Sequence, residues 1–122
     1  LLTFIAGIIA KIPLDSGWLS GKYSAESTFH DIRSRWSKED ITVRAKLVNR
    51  VKEILHSNNN MVQKAIAFCL AYDAVSTVIP GNVHLAQLTT NVESTKHPIS
   101  KELISTLEEF YRTEVEHLNL HW

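Results

Sequence analysis

Phe4–Ile12 (FIAGIIAKI) is a near-continuous apolar run containing four isoleucines, one glycine and a single charge. A run of this kind reads as a strand buried on both faces, as in parallel sheets. Pro13 closes it. A second, β-branched run, Ala74–Ile79 (AVSTVI), ends at Pro80-Gly81. Helical patterns fill the interval between the two. Strands joined by a helical crossover pair in parallel with a right-handed connection. Two short strands alone satisfy neither their outer edges nor both faces. The sequence therefore asks for more sheet, from further chain or from a partner molecule. It opens Leu1-Leu2-Thr3, with no initiator Met and no run-in before the strand. We read this as a start within something larger; a processed chain or an excised domain would read the same way.

The elements between and after the strands follow from pattern. Asp15 through Lys22 is a loop rich in small residues, and Ser24–Trp36 is a mixed-charge excursion or a set of short helical turns. Ser37 followed by Asp40 resembles an N-terminal capping box with Asp in place of Glu. Val43, Leu47, Val51, Ile54 and Leu55 then recur at helical spacing, with Arg44, Lys46, Arg50, Lys52 and Glu53 on the polar positions. This predicts an amphipathic helix over about 39–56. Ser57-Asn58-Asn59-Asn60 supplies a break and a cap. A second helix follows with Val62, Ala65, Ile66, Cys69 and Leu70 inward. Asn82 is a candidate cap for a short helix over about 84–92. Pro98 and Ser100 start a last helix whose stripe is Ile104, Leu107, Tyr111 and Val115.

Bulk composition excludes several functions. Thirteen basic residues balance thirteen acidic ones, so no net field favours nucleic acid or an anionic membrane. The apolar opening is too short to span a bilayer, carries Lys11 and ends at Pro13. Cys69, alone in the chain, reads as a buried, reduced thiol in a cytoplasmic protein. His117 and His121 lie four apart but have no evident third metal ligand, so exposed histidines are expected. Asp31–Trp36 reads as a loop with solvated charges. The two central helices lack the clustered basic face of a helix-turn-helix reader.

Chemistry in a parallel α/β arrangement belongs at the loops after the strands' carboxyl ends. In eight-stranded barrels phosphate often sits by the loops after strands seven and eight, at the start of a short helix. Both strand ends here have that layout: Pro13-Leu14-Asp15-Ser16-Gly17-Trp18-Leu19-Ser20-Gly21-Lys22-Tyr23, and Ile79-Pro80-Gly81-Asn82-Val83-His84 leading into Leu85–Asn91. On residue chemistry alone a Pro-Gly turn into a helix is common, and phosphate binding is one reading of it. Gln87 and Asn91 by themselves read as surface polarity.

The wording of the two segments goes further. The first resembles the loop after barrel strand seven of aldo/keto reductases, Ser-Pro-Leu-x-x-Gly-x-Leu-(Thr/Ser)-Gly-Lys-Tyr. The second resembles that family's loop after strand eight, Ile-Pro-Gly-(Ala/Ser)-x-x-x-x-Gln-Leu-x-x-Asn. Ala65–Ile79 between them is similar to the family's helix seven and strand eight. The resemblance implies the C-terminal portion of a TIM (β/α)8 barrel, which by itself is mainly α-helical with two short parallel strands. Residues 1–122 would form a single partial domain. It implies NADP or NAD as cofactor and a small carbonyl or alcohol substrate for the parent enzyme. Leu14, Ser16 and Gly17 would lie along the cofactor pyrophosphate with Lys22 nearby. Gly81, Asn82 and Val83 would face the adenosine ribose and any 2′-phosphate, and Gln87 and Asn91 would reach the adenosine end.

This sequence departs from the family pattern at Ile12, where a serine is usual, and at Val83 and His84, where NADP-preferring members often carry Arg or Lys. Lys11 either faces the barrel mouth or snorkels to solvent. The family's catalytic Asp, Tyr, Lys and His set lies on earlier strands, and no catalytic residue is assigned here. The alternative to a reductase piece is a non-catalytic helical module that self-associates, as a homodimer, or binds a protein through exposed sheet edges.

Overall fold

The computed structural model describes residues 6–56 and 60–121. The opening of the first expected strand, Phe4 and Ile5, and most of the expected break, Ser57 to Asn59, lie outside them. Strand β1 (Ile8–Lys11) is followed by helical turns at Asp15–Ser20 and Ile32–Arg35, then helices α1 (Lys38–Ile54) and α2 (Met61–Leu70). Strand β2 (Val75–Ile79), α3 (Leu85–Glu93) and α4 (Lys101–Phe110) complete the order, and α4 runs on through a π-turn at Tyr111–Val115.

The two strands pair in parallel, with Lys11 opposite Ile79 at their carboxyl ends. The register slips between Ile8 and Ile9, whose partners are Val75 and Thr77. Gly7 allows the approach at this bulge, because a Cβ there would stand 2.0 Å from Ser76 Oγ. The expected burial of β1 on both faces is not what the structure has: Ile8 is 53% and Ile9 63% exposed. The cause is geometric. Two strands give each other one edge and no face, and the helices cover little of the sheet among the described residues.

The core instead lies between the loop after β1 and the two central helices. Trp18, Trp36, Ala45, Val48, Leu55 and Met61 form it, with Tyr23, Phe29, Val51 and Leu103 packed against it. Trp18 meets Tyr23 and Phe29 edge-on at centroid distances of 5.6 and 6.0 Å. Its ring lies 6.2 Å from that of Trp36. The reading of Asp31–Trp36 as a loop of solvated charges is corrected here. Trp36 is buried and Arg33 stacks on the rings of Tyr23 and Phe29.

Local signals fix the helix starts. The Ser37 Oγ accepts from the Asp40 amide at 3.1 Å while the Asp40 carboxylate accepts from the Ser37 amide at 2.9 Å. That reciprocal pair satisfies two amides that the first turn of α1 leaves without partners. It also holds the Asp40 carboxyl below the usual range. Ser100 accepts from the Leu103 amide to start α4. Two assignments along the helices change. Arg44, expected on the polar face of α1, is 3% exposed, and Tyr111, expected in the last stripe, is 53% exposed. Tyr111 opens the π-turn and lines the same cavity as the half-buried Leu107 and Phe110, at a rim that leaves it half open to solvent. Cys69 is free and half-buried rather than buried, and burial pushes its thiol up.

Candidate functional site

Because Lys11 stands opposite Ile79, the chain leaves the sheet at the same edge twice, one residue later at Ile12 and at Pro80. The nine candidate residues divide between these two exits. Leu14, Ser16, Gly17 and Lys22 belong to the first, and Gly81, Asn82, Val83, Gln87 and Asn91 to the second. Parallel pairing, and nothing in local sequence, sets the two loops beside each other.

The first loop is a tight double turn. Asp15 and Ser16 both take left-handed backbone, at φ 46° and 55°, and Gly17 follows at 97°. Residues with a Cβ adopt that region at a cost of about 1–2 kcal/mol each, so other contacts must hold them. The Gly17 and Leu19 amides both donate to the Leu14 carbonyl at 3.0 Å, and Ser20 Oγ donates to the Gly17 carbonyl at 2.6 Å. Trp18, wholly buried, pins the turn to the core. Arg33 donates to the Ser16 carbonyl at 3.4 Å and to the Tyr23 hydroxyl. Its other face forks onto Asp31, which holds that carboxyl far below its ordinary range. Lys22 is exposed, with Nζ 5.0 Å from the Tyr23 ring centroid.

The second loop is tied together by the polar residues themselves. Asn91, 8% exposed on α3, donates from Nδ2 to Asn82 Oδ1 at 2.7 Å, with a longer contact of 3.5 Å to the Gly81 carbonyl. Asn82 in turn donates to the Pro80 carbonyl at 3.2 Å. Gln87 Oε1 accepts from the Val83 and His84 amides at 2.7 and 3.2 Å. So the start of α3 is closed by Gln87 reaching back, with His84 at the cap position. The expected Asn82 cap is corrected accordingly. Asn91 is likewise not plain surface polarity, since it fastens the loop from below.

Gly81 is open. A Cβ placed there meets no atom within 4 Å, and its backbone is not among the left-handed glycines. Neither conformation nor packing inside this chain requires glycine at that position. Val83 beside it is 81% exposed. Neither Arg nor Lys stands at 83 or 84, and the amides there already meet an acceptor on Gln87.

Elsewhere, a cavity of about 880 Å³ opens between α1, α2 and the last helix, lined by Lys11, Asp15, Arg44, Phe68, Cys69 and Phe110 among others. None of the nine candidate residues lines it. It backs onto the first loop through Ile12, Pro13, Asp15 and Leu19. Tyr72, at its rim, donates to Glu108 at 2.6 Å. Burial, then the Glu108 carboxylate, push its phenol up to about 12. His117 and His121 are exposed. Among the described residues no three His, Cys, Asp or Glu side chains gather as for a metal ion, and no helix is long and apolar enough to cross a membrane.

Sequence reasoning missed Trp18, Arg33 and the Asp15–Arg44 ion pair, whose atoms lie 2.6 Å apart. The one signal available was the recurrence of aromatics at 18, 23, 29 and 36 across a segment otherwise without pattern.

Parallel strands joined by a helical crossover, with paired loops at their carboxyl ends and a helix opening from the second, define an α/β protein of the barrel or doubly wound kind. Comparison with known families decides between these. The family model described as Aldo/keto reductase family matches residues 6–112, and the chain belongs to that family. Its fold is the TIM barrel, of which the described residues hold two parallel strands and mostly helix. The family is one of oxidoreductases that generally bind NAD(P)H and act on carbonyl substrates. No curated protein matches the chain.

Proposed function

We propose that this chain is the C-terminal, cofactor-cleft part of an NAD(P)H-dependent aldo/keto reductase. The parent enzyme would move a hydride between the nicotinamide and a small carbonyl or alcohol substrate. The observation that carries this reading is the register: Lys11 against Ile79 sends both signature loops off one sheet edge, where a single extended ligand would touch both. Gly81 supports it, because the space in front of its backbone is empty of protein. Backbone carbonyls and side chains already order both loops, so little ordering entropy remains to be lost on binding.

When bound, NADP or NAD supplies the hydride. Leu14, Ser16 and Gly17 would line the pyrophosphate, with Lys22 adding positive charge from the end of the loop. Gly81, Asn82 and Val83 would face the ribose. Asn91 and Gln87 reach the adenosine end in this reading while also holding the loop, so their contribution is largely to loop shape. We assign no catalytic residue. A cytoplasmic setting belongs to the same reading.

A second reading draws on the exposed apolar surface. Ile8, Ile9 and Ile79 on the sheet and Leu85, Leu88 and Val92 on one side of α3 are all at least 46% exposed. Such a surface suits a helical module that self-associates. One experiment separates the two. The intact protein is titrated with NADPH and with NADH by nucleotide fluorescence, then assayed with a generic aldehyde, alongside residues 1–122 alone. The reductase reading expects binding and turnover by the intact protein and no turnover by residues 1–122. Intact protein that neither binds nucleotide nor reduces any carbonyl refutes it. Sedimentation of residues 1–122 shows whether the apolar face forms a dimer.

A further inference from the structure

A carboxylate is an odd neighbour for a pyrophosphate. Asp15 sits between Leu14 and Ser16 in the loop assigned to that group, and at short range its negative charge would oppose the ligand. Arg44 meets it from α1, with Nη1 2.6 Å from Asp15 Oδ2 across 29 residues of chain. Arg44 is 3% exposed, and its guanidinium lies 4.6 Å from the Trp36 ring centroid. The same group donates to the His121 carbonyl. A side chain gripped by a ring on one side and the tail on another cannot follow the loop; the loop must follow it.

We propose that Arg44 is a positioning residue for the cofactor loop, neutralising Asp15 and fixing the left-handed turn at Asp15 and Ser16 that presents Ser16 and Gly17. The inference rests on the reading of this loop as a cofactor site. Without Arg44, Asp15 would lose its direct ion pair, and of the turn's two charged contacts among the described residues only Arg33, on the Ser16 carbonyl, would remain. Among the described residues, Arg35 on the turn before α1 also acts on Asp15, and Lys11, Lys64, Glu108 and Glu116 line the same cavity. The His121 imidazole acts on Asp40. Arg35 is exposed and stacks on Trp36, and it is too far committed there to replace a direct ion pair.

The test compares wild type, Arg44→Gln, Asp15→Asn and the double variant in the intact protein, with NADPH as probe. Arg44→Gln should raise the NADPH Kd roughly tenfold or more, the scale of a lost charge-assisted hydrogen bond. Turnover at saturating nucleotide should change little. The defect should shrink as pH falls, because burial already pushes the Asp15 carboxyl up and losing its cation pushes it further, so that it takes up a proton and sheds the repulsion. Asp15→Asn in the Arg44→Gln background should restore most of the affinity. Hydrogen exchange of residues 13–21, measured without nucleotide, should be faster in Arg44→Gln than in wild type. Equal Kd for wild type and Arg44→Gln overturns the inference. So does a loss that neither lower pH nor Asp15→Asn relieves, since that marks a merely structural role. If wild type binds no nucleotide, the cofactor reading falls by itself, and unchanged loop exchange in Arg44→Gln then overturns the positioning role independently.

Discussion

Replacing Trp18 by alanine tests whether the loop after β1 is held by burial. The indole is wholly buried. A buried aromatic removes about 150–250 Å² from water, and at about 25 cal/mol per Å² this gives about 4–6 kcal/mol. Three ring contacts, to Tyr23, Phe29 and Trp36, add to it. One effect opposes: Nε1 has no hydrogen-bond partner among the described residues, so truncation also removes a buried donor that costs about 1–3 kcal/mol. The net expectation is about 3–4 kcal/mol, inside the range of about 3–5 kcal/mol found for such truncations. A chain of this size has a total stability of roughly 6–18 kcal/mol, so the loss is large but survivable. In urea unfolding followed by far-UV circular dichroism, a slope of about 2 kcal/mol per M turns it into a midpoint lower by roughly 1.5–2 M. Ile32→Ala, at a side chain 81% exposed on the neighbouring turn, should stay within about 0.5 kcal/mol of wild type. A Trp18→Ala shift no larger than that of Ile32→Ala would refute the placement of the core in this loop.

Further expectations concern the bulge, the second loop and the cavity rim. Gly7→Ala should destabilise by about 1 kcal/mol, because Ser76 Oγ can rotate away while Ser76 Cβ, 3.1 Å from the new carbon, cannot. Ser76→Gly in the same chain should recover most of that in the same urea assay, and no recovery would mean the strands do not touch there. Asn91→Ala should cost about 1–2 kcal/mol and speed amide exchange at residues 81–84, leaving α3 helical by circular dichroism; slow exchange in the variant would show that the loop holds itself. Tyr72 should ionise well above the usual phenol range when absorbance is followed into alkali. Its folded value of about 12 lies above the unfolded value near 10, so its contribution to stability is complete below about pH 10 and fades as pH rises toward about 12. In Tyr72→Phe the late absorbance step should vanish, and a late step that persists assigns it to another tyrosine.

What could be read in advance was what neighbours in sequence decide. The Ser37 and Asp40 box, the Pro13 and Pro80 stops and the spacing from Val43 to Leu55 each act within a few residues, and α1, β1 and β2 lie where those signals put them. Burial is a property of the assembly. Ile8 and Ile9 have the composition of core residues, and in a sheet of two strands they face outward. Arg44 failed for the converse reason, since its helical position marks it as polar while Trp36 and Asp15, both distant in sequence at least in part, enclose it. The aromatic core was hidden because 18, 23, 29 and 36 follow neither a period of 3.6 nor of 2. The candidate loops became visible through their likeness to a family. Residue chemistry alone would have left Gln87 and Asn91 as surface, and only the structure reveals that they hold the second loop in shape.

Trp18 has one more consequence, an optical one. It follows Gly17 directly, in the turn that carries Leu14, Ser16 and Gly17, and it emits from a wholly buried site. Of the chain's other two tryptophans, Trp36 belongs to the same cluster, and Phe at that position would leave Trp18 as the emitter inside the core. Any opening of the turn must carry the indole toward water, shifting its emission to the red and making it accessible to a quencher. The loop thus contains its own label, one that reports its motion without chemical modification and in the presence or absence of ligand.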